Sequence, residues 1–492
     1  MSAHLPILQV VVPLLAAPFC LFLKRGRMAW GLAVFASWAA LAIALALLGQ
    51  VTQEGVLSYA IGDWVPPIGI EYRVDIVNAW VLVIVSGIGA VVAPYSMASI
   101  EREVEAGRIP LFYAAYLLCL SGLLGITITG DMFNVFVFLE ISSLSAYALI
   151  ALGQARRALT SAFRYLIMGS VGATFIVIGI GLLYVMTGSL NMADLAQLLP
   201  EVWDSRTVKV AYGFLAVGFC LKLALFPLHL WLPNAYTYAP SAVTAFMAST
   251  ATKVAVYMLL RFFLTVFGAP FSFDVMALDR VLLPLALVAI ASMSLVAIFQ
   301  VNVKRLLAYS SVAQIGYMIL GLSFATVTGL TATLLHLFNH ALMKGALFMA
   351  MGCVMYRIGS VHINAVAGLG RRMPWTMAAF VAGGLSLVGV PLTVGFVSKW
   401  YLILGALERG WWWAAILVLL TSLLALVYIW RVVEVAYFRD FPGDEATREA
   451  PWTLLGPTWA LVALNLYFGI DAGRTVGIAR QAAEVLMAGI GP

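Results

Sequence analysis

Charged residues are scarce in this sequence. Only 10% of its 492 residues are Asp, Glu, Lys or Arg, whereas 63% are hydrophobic and the mean hydropathy is +1.01. A soluble globular domain carries roughly 25% charged residues, so this chain has too few polar side chains to cover a water-facing surface. The composition therefore excludes a soluble protein and indicates one that lies in a membrane.

Several signals of soluble enzymes are also missing. The four cysteines stand far apart inside apolar stretches and form no CxxC pair, which favours buried small side chains over a metal cluster or a disulfide framework. No Walker motif and no GxGxxG segment after a strand occurs, and no polar stretch is long enough for a nucleotide-binding domain. We therefore predict that this chain has no cofactor, no metal and no catalytic redox centre. Any energy from redox chemistry or ATP would then come from partner subunits.

Long apolar segments, in contrast, recur along the whole chain. A bilayer core of about 30 Å requires about 20 apolar residues per helix. About fourteen segments satisfy this length, near residues 5–23, 28–50, 75–99, 111–129, 132–153, 161–187, 209–229, 239–265, 280–300, 306–324, 327–356, 375–403, 411–437 and 452–470. The first is interpreted as a span rather than a signal peptide because no basic region precedes it. The sequence thus predicts an all-α integral membrane fold.

Lysine and arginine concentrate in alternate loops between these spans. One set of loops contains Lys24, Arg25, Arg27, Arg102, Arg108, Arg156, Arg157, Lys304, Arg305, Arg371, Arg372, Arg439 and Arg448. The opposite loops contain fewer bases, namely Arg73, Arg206, Lys209, Arg280 and Arg409. By the positive-inside rule the first set faces the cytoplasm, so both termini are predicted on the outer side. The net charge of +6 is then a topology signal, and a nucleic-acid partner is excluded.

Two of the spans are interrupted by proline at corresponding places. Pro227 and Pro391 belong to five-span blocks that repeat at an interval of roughly 165 residues. A repeat with an odd number of helices re-enters the membrane in the opposite orientation, so we predict two inverted five-helix repeats whose broken helices meet near the midplane. The predicted organisation is N-terminal helices in 1–110, the first repeat in 111–265, the second repeat in 280–437, and a C-terminal helix and tail in 438–492.

A few ionisable residues remain inside the predicted spans, although a charge at the bilayer centre costs about 3 kcal/mol or more. They are Glu140, Lys222, His229, Lys253, His336, His340 and Lys399. Spacings of four place His336, His340 and Lys344 on one helical face. Such buried groups usually face a protein interior or water, so we predict a proton path along them. For Asp75, Lys344 and Arg164, nearer the span ends, a structural or snorkelling role is favoured.

Each candidate residue also has a purely structural interpretation. Glu140 and Lys222 could form a buried ion pair whose role is limited to the folded state. The histidines of the span 327–356 could hydrogen-bond neighbouring helices. His229, close to a tryptophan and a proline, could anchor its span at the membrane interface. The proton-path interpretation is preferred for Glu140 and Lys222 because charges inside a membrane are seldom kept for stability alone.

Five segments of the sequence resemble one known family. They are GDMFNVFVFLEISSLSAY around Glu140, KLALFPLHLWLPNAYTYAPSAVTAFMASTATKVAVY from Lys222 past Lys253, KRLLAYSSVAQIGYMILG at 304–321, HLFNHALMKGALFM at 336–349, and GVPLTVGFVSKW with Lys399. The chain is similar, over essentially its whole length, to the antiporter-like subunits shared by Mrp-type multisubunit Na+/H+ antiporters, membrane-bound hydrogenases and respiratory complex I. The resemblance implies broken membrane helices and a path for protons.

The resemblance also implies a role for each matching position. The implied order is Glu140 and Lys222 in the first half-channel, Lys253 and His336 as the central connection with His340 as a relay, and Lys399 on the exit side. The segments FNVFVFLE and TKVAVY are most similar to D-type Mrp subunits. Lysine at position 399, where M-type complex I subunits have glutamate, and the end of the chain about twenty residues after the last span argue against M-, L- and A-type subunits. N-type subunits stay an alternative.

The function implied by the resemblance is transport within a larger assembly. We predict a proton- and monovalent-cation-translocating subunit of a Na+(K+)/H+ antiporter in the cell membrane, with other membrane subunits as partners and H+ and Na+ or K+ as substrates. The alternative is a proton-pumping membrane subunit of a complex I-like NADH:quinone oxidoreductase or a membrane-bound hydrogenase. A stand-alone secondary transporter is the third hypothesis.

Overall fold

The computed structural model describes residues 2–23, 25–441 and 448–488. Twenty α-helices form most of these residues: α1 Leu5–Phe22, α2 Gly26–Glu54, α3 Ile76–Glu103, α4 Ile109–Ile128, α5 Met132–Ala151, α6 Ala158–Thr187, α7 Met192–Leu198, α8 Arg206–Leu223, α9 Trp231–Tyr238, α10 Ser241–Ser249, α11 Ala251–Leu260, α12 Leu278–Ile298, α13 Val303–Ser323, α14 Val327–Ile358, α15 Leu369–Arg372, α16 Pro374–Val388, α17 Val394–Glu408, α18 Trp412–Phe438, α19 Trp452–Ile470 and α20 Gly473–Ala488. Lys24 and parts of the predicted C-terminal region, 442–447 and 489–492, lie outside the described residues.

Twelve helical segments of the described chain are long and apolar enough to cross a membrane. They confirm a multi-pass, helical membrane fold. A helix satisfies its backbone hydrogen-bonding groups internally, as the apolar interior of a bilayer requires. The two other predicted spans, 209–229 and 375–403, coincide with interrupted helices. The count of fourteen crossings and the inverted relation of two repeats stay predictions.

Both interruptions fall where a residue takes up a left-handed backbone conformation. Helix α8 ends before Ala224, with φ of 60°, and α16 ends before Gly389, with φ of 95°. The predicted span 209–229 is therefore wrong at its end, since α8 stops at Leu223. Glycine suits position 389 for a second reason, because a Cβ there would lie 2.9 Å from Cδ of Lys399.

A two-stranded antiparallel hairpin lies between α2 and α3, a departure from a purely helical chain. Strand β1 spans Leu57–Ala60 and strand β2 spans Glu71–Val74. The buried Glu71 carboxylate accepts hydrogen bonds from Ser58, at 2.5 Å, and from Asn191, at 3.0 Å. The hairpin is thereby joined to the segment before α7. Strands of four residues give too weak a periodic signal to be predicted from sequence.

Helix α14 forms the centre of the molecule. Every residue from Gly329 to Val354 is buried, and the helix packs against α3, α10, α13, α16, α17, α19 and α20. Helices α2, α6, α12 and α18 lie further out and expose large apolar side chains such as Phe35, Leu159 and Leu423. Polar side chains on α14 therefore face other helices rather than lipid.

The predicted C-terminal tail is a further helix as far as Ala488. Helix α20 packs on α14 and α3 through its small buried residues, which include Ala479, Ala482 and Ala483. Its remaining residues are largely exposed and include Arg480 and Glu484. The region after α19 is thus part of the packed structure.

A buried ion pair joins the start of α3 to the end of α11. The Arg261 guanidinium donates two hydrogen bonds to the Asp75 carboxylate, at 2.7 and 2.8 Å, and a third to the Tyr257 hydroxyl, at 3.2 Å. Asp75 also caps α3 by accepting hydrogen bonds from the amides of Val77 and Asn78. Both charges are therefore satisfied in a site with little access to water.

We expect Asp75→Ala to lower the free energy of unfolding by about 3–5 kcal/mol, because it leaves the buried Arg261 charge without a counter-ion. The measurement is thermal or denaturant unfolding of the purified protein in detergent. Glu484→Ala is the matched control, because its pair with Arg480 has side chains that are 54% and 70% exposed and exposed pairs contribute little. Equal stability losses in both variants would contradict the assignment.

Candidate functional site

The predicted residues of the first half lie on α5 and α8. Lys222 is in the last turn of α8 and is 8% exposed, and its Nζ donates to the Ser143 hydroxyl at 2.9 Å. Ser143 follows Glu140 by three residues, so both side chains face the same side of α5. Among the described residues, Lys222 and Glu140 form no ion pair within 4.0 Å. Instead of the expected direct pair with Glu140, Lys222 contacts Ser143, one turn further along α5.

A small cavity lies beside Lys222. Its volume is about 30 Å³, and its polar lining comes from Ser142, Ser143 and Tyr165. This volume is large enough for a water molecule with several hydrogen-bond partners. Within the described chain, Oε1 of Glu140 is buried without a hydrogen-bond partner. The first half therefore combines an unsatisfied carboxylate oxygen with a lysine that has room for a water beside it.

The segment after α8 hydrogen-bonds to a carbonyl group in the last turn of that helix. Nε1 of Trp231 donates to the Leu221 carbonyl at 3.0 Å, which fixes α9 against the end of α8. His229 precedes α9 and is 4% exposed, with its ring stacked on Phe226 at 5.5 Å. Its Nδ1 has no hydrogen-bond partner in the described part of the chain. His229 is thus a buried residue, which disfavours the interfacial-anchor interpretation.

Lys253 lies at a second break, between α10 and α11. The residue is fully buried, and its Nζ donates to the Ala248 carbonyl and to the Thr252 hydroxyl. Thr250, at the break, leaves the helical conformation, with φ of −126° and ψ of −60°. Carbonyl oxygens at the end of a helix carry partial negative charge, so this position suits an ammonium group.

The two predicted histidines of α14 form the centre of the site. Both are fully buried, and their rings stack with centroids 5.8 Å apart. Nδ1 of His336 lies 2.8 Å from the Ser398 hydroxyl, and Nε2 lies 2.9 Å from Oε1 of Gln314. Neither ring nitrogen of His340 has a hydrogen-bond partner among the described residues. His340 is therefore an unsatisfied buried group next to one that is fully hydrogen-bonded.

Lys399 lies on α17, facing the end of the half-helix α16. Its Nζ donates to the carbonyls of Leu387, at 3.1 Å, and Val388, at 2.8 Å, and to the Ser422 hydroxyl, at 2.9 Å. These carbonyls belong to the last turn of α16, where intrahelical partners end. Lys399 is next in sequence to Ser398, the hydrogen-bond partner of His336. Among the described residues, no hydrogen bond links the Lys399 ammonium to either histidine.

Lys344 is the residue whose role sequence reasoning underestimated. The interpretation as a span-end or snorkelling lysine is wrong, because Lys344 lies in the middle of α14 and is fully buried. Its Nζ donates to the Leu307 carbonyl at 2.8 Å and to the Ser310 hydroxyl. The signal that could have identified it is its spacing of four and eight residues from the two histidines.

Six neutral partners were also missed. Each hydrogen-bonds a titratable side chain of the candidate site, and they are Ser143, Thr252, Ser310, Gln314, Ser398 and Ser422. Serine and glutamine are common at helix contacts in membranes. Their sequence positions alone therefore carry no signal.

The basic groups of the centre interact with one another rather than with carboxylates. His340 lies within Coulombic range of Lys253 and Lys344, and His336 lies within range of Lys253 and Lys399. None of these groups has an acidic partner among the described residues. Because like charges at short range repel, a proton on one group disfavours a proton on the next. Simultaneous protonation of all these groups is therefore unfavourable.

Comparison with known proteins gives a consistent result. A family model described as NADH:quinone oxidoreductase/Mrp antiporter, TM, matches residues 129–425, which include all seven predicted path residues. The N-type subunit of the NADH-quinone oxidoreductase of Desulforudis audaxviator is 45% identical over 460 residues, covering 92% of this chain and 90% of the relative. The D-type subunit of the Na+/H+ antiporter of Alkalihalophilus pseudofirmus is 29% identical over 486 residues, covering 98% and 97%.

Solved structures share the fold over nearly the whole chain. A chain of the Mrp complex from a Dietzia species superposes with a TM-score of 0.90 at 25% identity, covering 99% of this chain and 97% of that one. A chain of an archaeal membrane-bound sulfane sulfur reductase, a respiratory membrane complex, gives a TM-score of 0.89 at 31% identity, covering 98% of both chains. Both are subunits of larger membrane assemblies.

Proposed function

Because this chain belongs to the NADH:quinone oxidoreductase/Mrp antiporter transmembrane family, we propose that it is the ion-translocating subunit of a multisubunit Na+(K+)/H+ antiporter. The observation that carries the proposal is the row of titratable side chains from the half-buried Glu140 on α5 to the buried Lys399 on α17. Groups of this kind are costly to place in a membrane and usually mark an ion path. The D-type antiporter relative and the fold shared with an Mrp complex support the antiporter assignment.

The proposed proton path runs between these groups in the order of their positions from α5 to α17. A proton enters the first half at Glu140 and passes to Lys222, which lines the adjoining cavity and whose Nζ is hydrogen-bonded to Ser143. Lys253 connects this half to the stacked histidines of α14. The proton leaves through Lys399.

The remaining histidine and one further lysine extend this path. His229 flanks the first half, with an unsatisfied ring nitrogen in the described structure. Lys344 adds a branch from His340 towards α13. Because neighbouring protonated groups repel each other, protonation of one group favours release of the proton from the next.

Two half-channels are proposed, in residues 111–265 and 280–437. Each contains five predicted spans and a helix break beside a lysine, Lys222 in the first and Lys399 in the second, and the first contains another break beside Lys253. In each half, a side chain donates a hydrogen bond to a carbonyl in the last turn of the broken helix. Trp231 does so in the first half and Lys399 in the second. This correspondence supports duplication of one transport unit, with the described parts of residues 1–110 and 438–492 packed around it.

A second function is favoured by one observation, the 45% identity to an N-type subunit of an NADH-quinone oxidoreductase. In that alternative the same path pumps protons within a redox assembly. Purification of the tagged complex from its native membrane separates the two. Small antiporter subunits and no flavin or iron–sulfur absorbance support the antiporter, whereas redox subunits with those cofactors support the alternative.

The direct test of transport uses inverted membrane vesicles with a preformed pH gradient. We expect Na+ or K+ to dissipate the gradient in proportion to the amount of assembled complex, because the cation exchanges for the proton. Vesicles without this chain are the control. If neither cation dissipates the pH gradient but NADH builds one up, the antiporter proposal is wrong and the redox alternative is supported.

The proposed location is the cell membrane, with both termini on the outer side. We expect an impermeant thiol reagent on intact cells to label cysteines placed at Val65 and Asp204, but to label those at Ala155 and Arg371 only after permeabilisation. All four positions are exposed, whereas the native cysteines are buried and react slowly. Labelling of Ala155→Cys and Asp204→Cys from the same side would refute this topology.

A further inference from the structure

A polar pocket lies at the start of α6, apart from the proposed proton path. Its volume is about 340 Å³, and it is lined by Arg157, Thr160, Ser161, Arg164, Asn234 and Tyr238. Every lining side chain carries a hydrogen-bonding group, in a chain that is 63% hydrophobic. The pocket joins α6 to α9. Such a concentration of donors in a membrane protein points to a ligand rather than to packing.

The two arginines of the pocket form no ion pair with any carboxylate that the structure describes. Arg157 and Arg164 are seven residues apart, which places them about two turns apart on one side of α6. One Nη of Arg157 donates to the Tyr238 hydroxyl at 3.0 Å, and the Arg164 side chain makes no hydrogen bond within the described chain. Two positive charges facing one cavity favour an anion.

The surroundings of the pocket are apolar and exposed. Leu159, Phe163 and Ile167 are 69%, 58% and 49% exposed and lie on the same stretch of α6. Helix α6 has 30 residues, so it is about 45 Å long and exceeds the bilayer core of about 30 Å. A helix of this length has room for its first turns in the headgroup layer, where a cationic pocket would lie beside side chains that contact acyl chains.

We propose that this pocket binds the phosphodiester headgroup of an anionic glycerophospholipid. Arg157 and Arg164 bind the phosphate through charge-assisted hydrogen bonds. The Thr160 hydroxyl and the Asn234 amide donate to the glycerol and ester oxygens. The acyl chains lie along Phe163. A free phosphate would use the same two arginines but would leave the apolar rim without a partner.

Binding at this place bridges two elements close to the first helix break. Tyr165, next to Arg164, stacks on Trp231 of α9 with ring centroids 4.0 Å apart. A headgroup held by α6 and Asn234 adds a second link between the same helices. A ligand that binds only the folded state stabilises it by mass action. The bound lipid therefore raises the melting temperature of the complex.

The test uses the purified, delipidated complex in detergent. Phosphatidylglycerol, phosphatidylcholine and inorganic phosphate are titrated separately, with binding followed by native mass spectrometry and by the melting temperature. We expect phosphatidylglycerol to bind and to raise the melting temperature more than the other two do. Arg164→Gln should weaken its binding about tenfold, the loss expected from one charge-assisted hydrogen bond.

Arg156→Gln is the matched control, because Arg156 is exposed but does not line the pocket. Thr160→Tyr fills the cavity while both arginines remain, so it should also weaken binding, even if Arg164→Gln assembles poorly. Equal lipid binding in Arg164→Gln and Arg156→Gln would overturn the proposal. The proposal would also be overturned if inorganic phosphate raised the melting temperature as much as phosphatidylglycerol does. It would be overturned as well if Arg164→Gln lost a partner subunit while its lipid binding stayed unchanged. None of these readouts depends on transport.

Discussion

Lys399→Ala is expected to reduce cation-dependent dissipation of the pH gradient by about 100-fold or more, the usual effect of losing a proton-transfer group. The variant removes the titratable group that binds the carbonyls at the second helix break, next in sequence to Ser398, the partner of His336. The carbonyls of Leu387 and Val388 lose their donor. They lie at the end of a half-helix, so water can replace the ammonium and the complex should still assemble.

Lys209→Ala is the control for Lys399→Ala, because Lys209 lies in the first turn of α8, outside the predicted path. Lys399→Glu should retain part of the activity, because a glutamate in the same position still binds and releases a proton. Transport in inverted vesicles is measured per assembled complex. If Lys399 only stabilised the fold, Lys399→Ala would lower the amount of complex and leave transport per complex normal, and Lys399→Glu would be worse than alanine because it reverses the charge.

Glu140→Gln is expected to reduce transport by about 100-fold as well, with little change in the amount of complex. Glutamine has nearly the same shape but cannot take up or release a proton. Oε1 of Glu140 has no hydrogen-bond partner among the described residues, so the substitution breaks no observed contact. Lys222 keeps its bond to Ser143 but loses the negative charge within Coulombic range.

Glu408→Gln is the control for Glu140→Gln, because Glu408 is an exposed glutamate at the end of α17. Glu140→Asp should keep measurable transport, since it retains the carboxylate at a shorter reach. The amount of complex is determined on the same vesicles by quantitative immunoblotting. A Glu140→Gln variant with normal transport would assign Glu140 to structure rather than to the path.

Much of the site was predictable because burying a charge in a membrane is costly. Glu140, Lys222, Lys253 and Lys399 are conspicuous in the sequence because each interrupts an otherwise apolar segment. The interruptions near Pro227 and Pro391 were also expected from the sequence, although α1, α3, α12 and α19 continue through prolines and the break at Thr250 has none. Helix ends were less so: the left-handed Ala224 ends α8 six residues before the predicted limit of 229.

The contacts of these residues could not be predicted from the sequence. A direct Glu140–Lys222 pair follows naturally from opposite charges, yet Lys222 bonds to Ser143 instead. The choice depends on how α5 and α8 are placed, which is set by packing along their whole length. Lys344 was misjudged for a related reason: whether a lysine snorkels depends on whether its helix is peripheral or central.

The sequence by itself determined that this chain is a helical membrane protein of a transporter-like family, where most of its helices run, and which ionisable side chains lie inside them. These properties follow from hydrophobic length, proline positions and the scarcity of charge, all of which are local along the chain. Only the tertiary structure decided that α14 is central, that Lys253 and Lys399 bind carbonyls at helix breaks, and that two arginines share a pocket with α9. Those are relations between segments far apart in sequence, and they exist only once helix packing has brought the segments together.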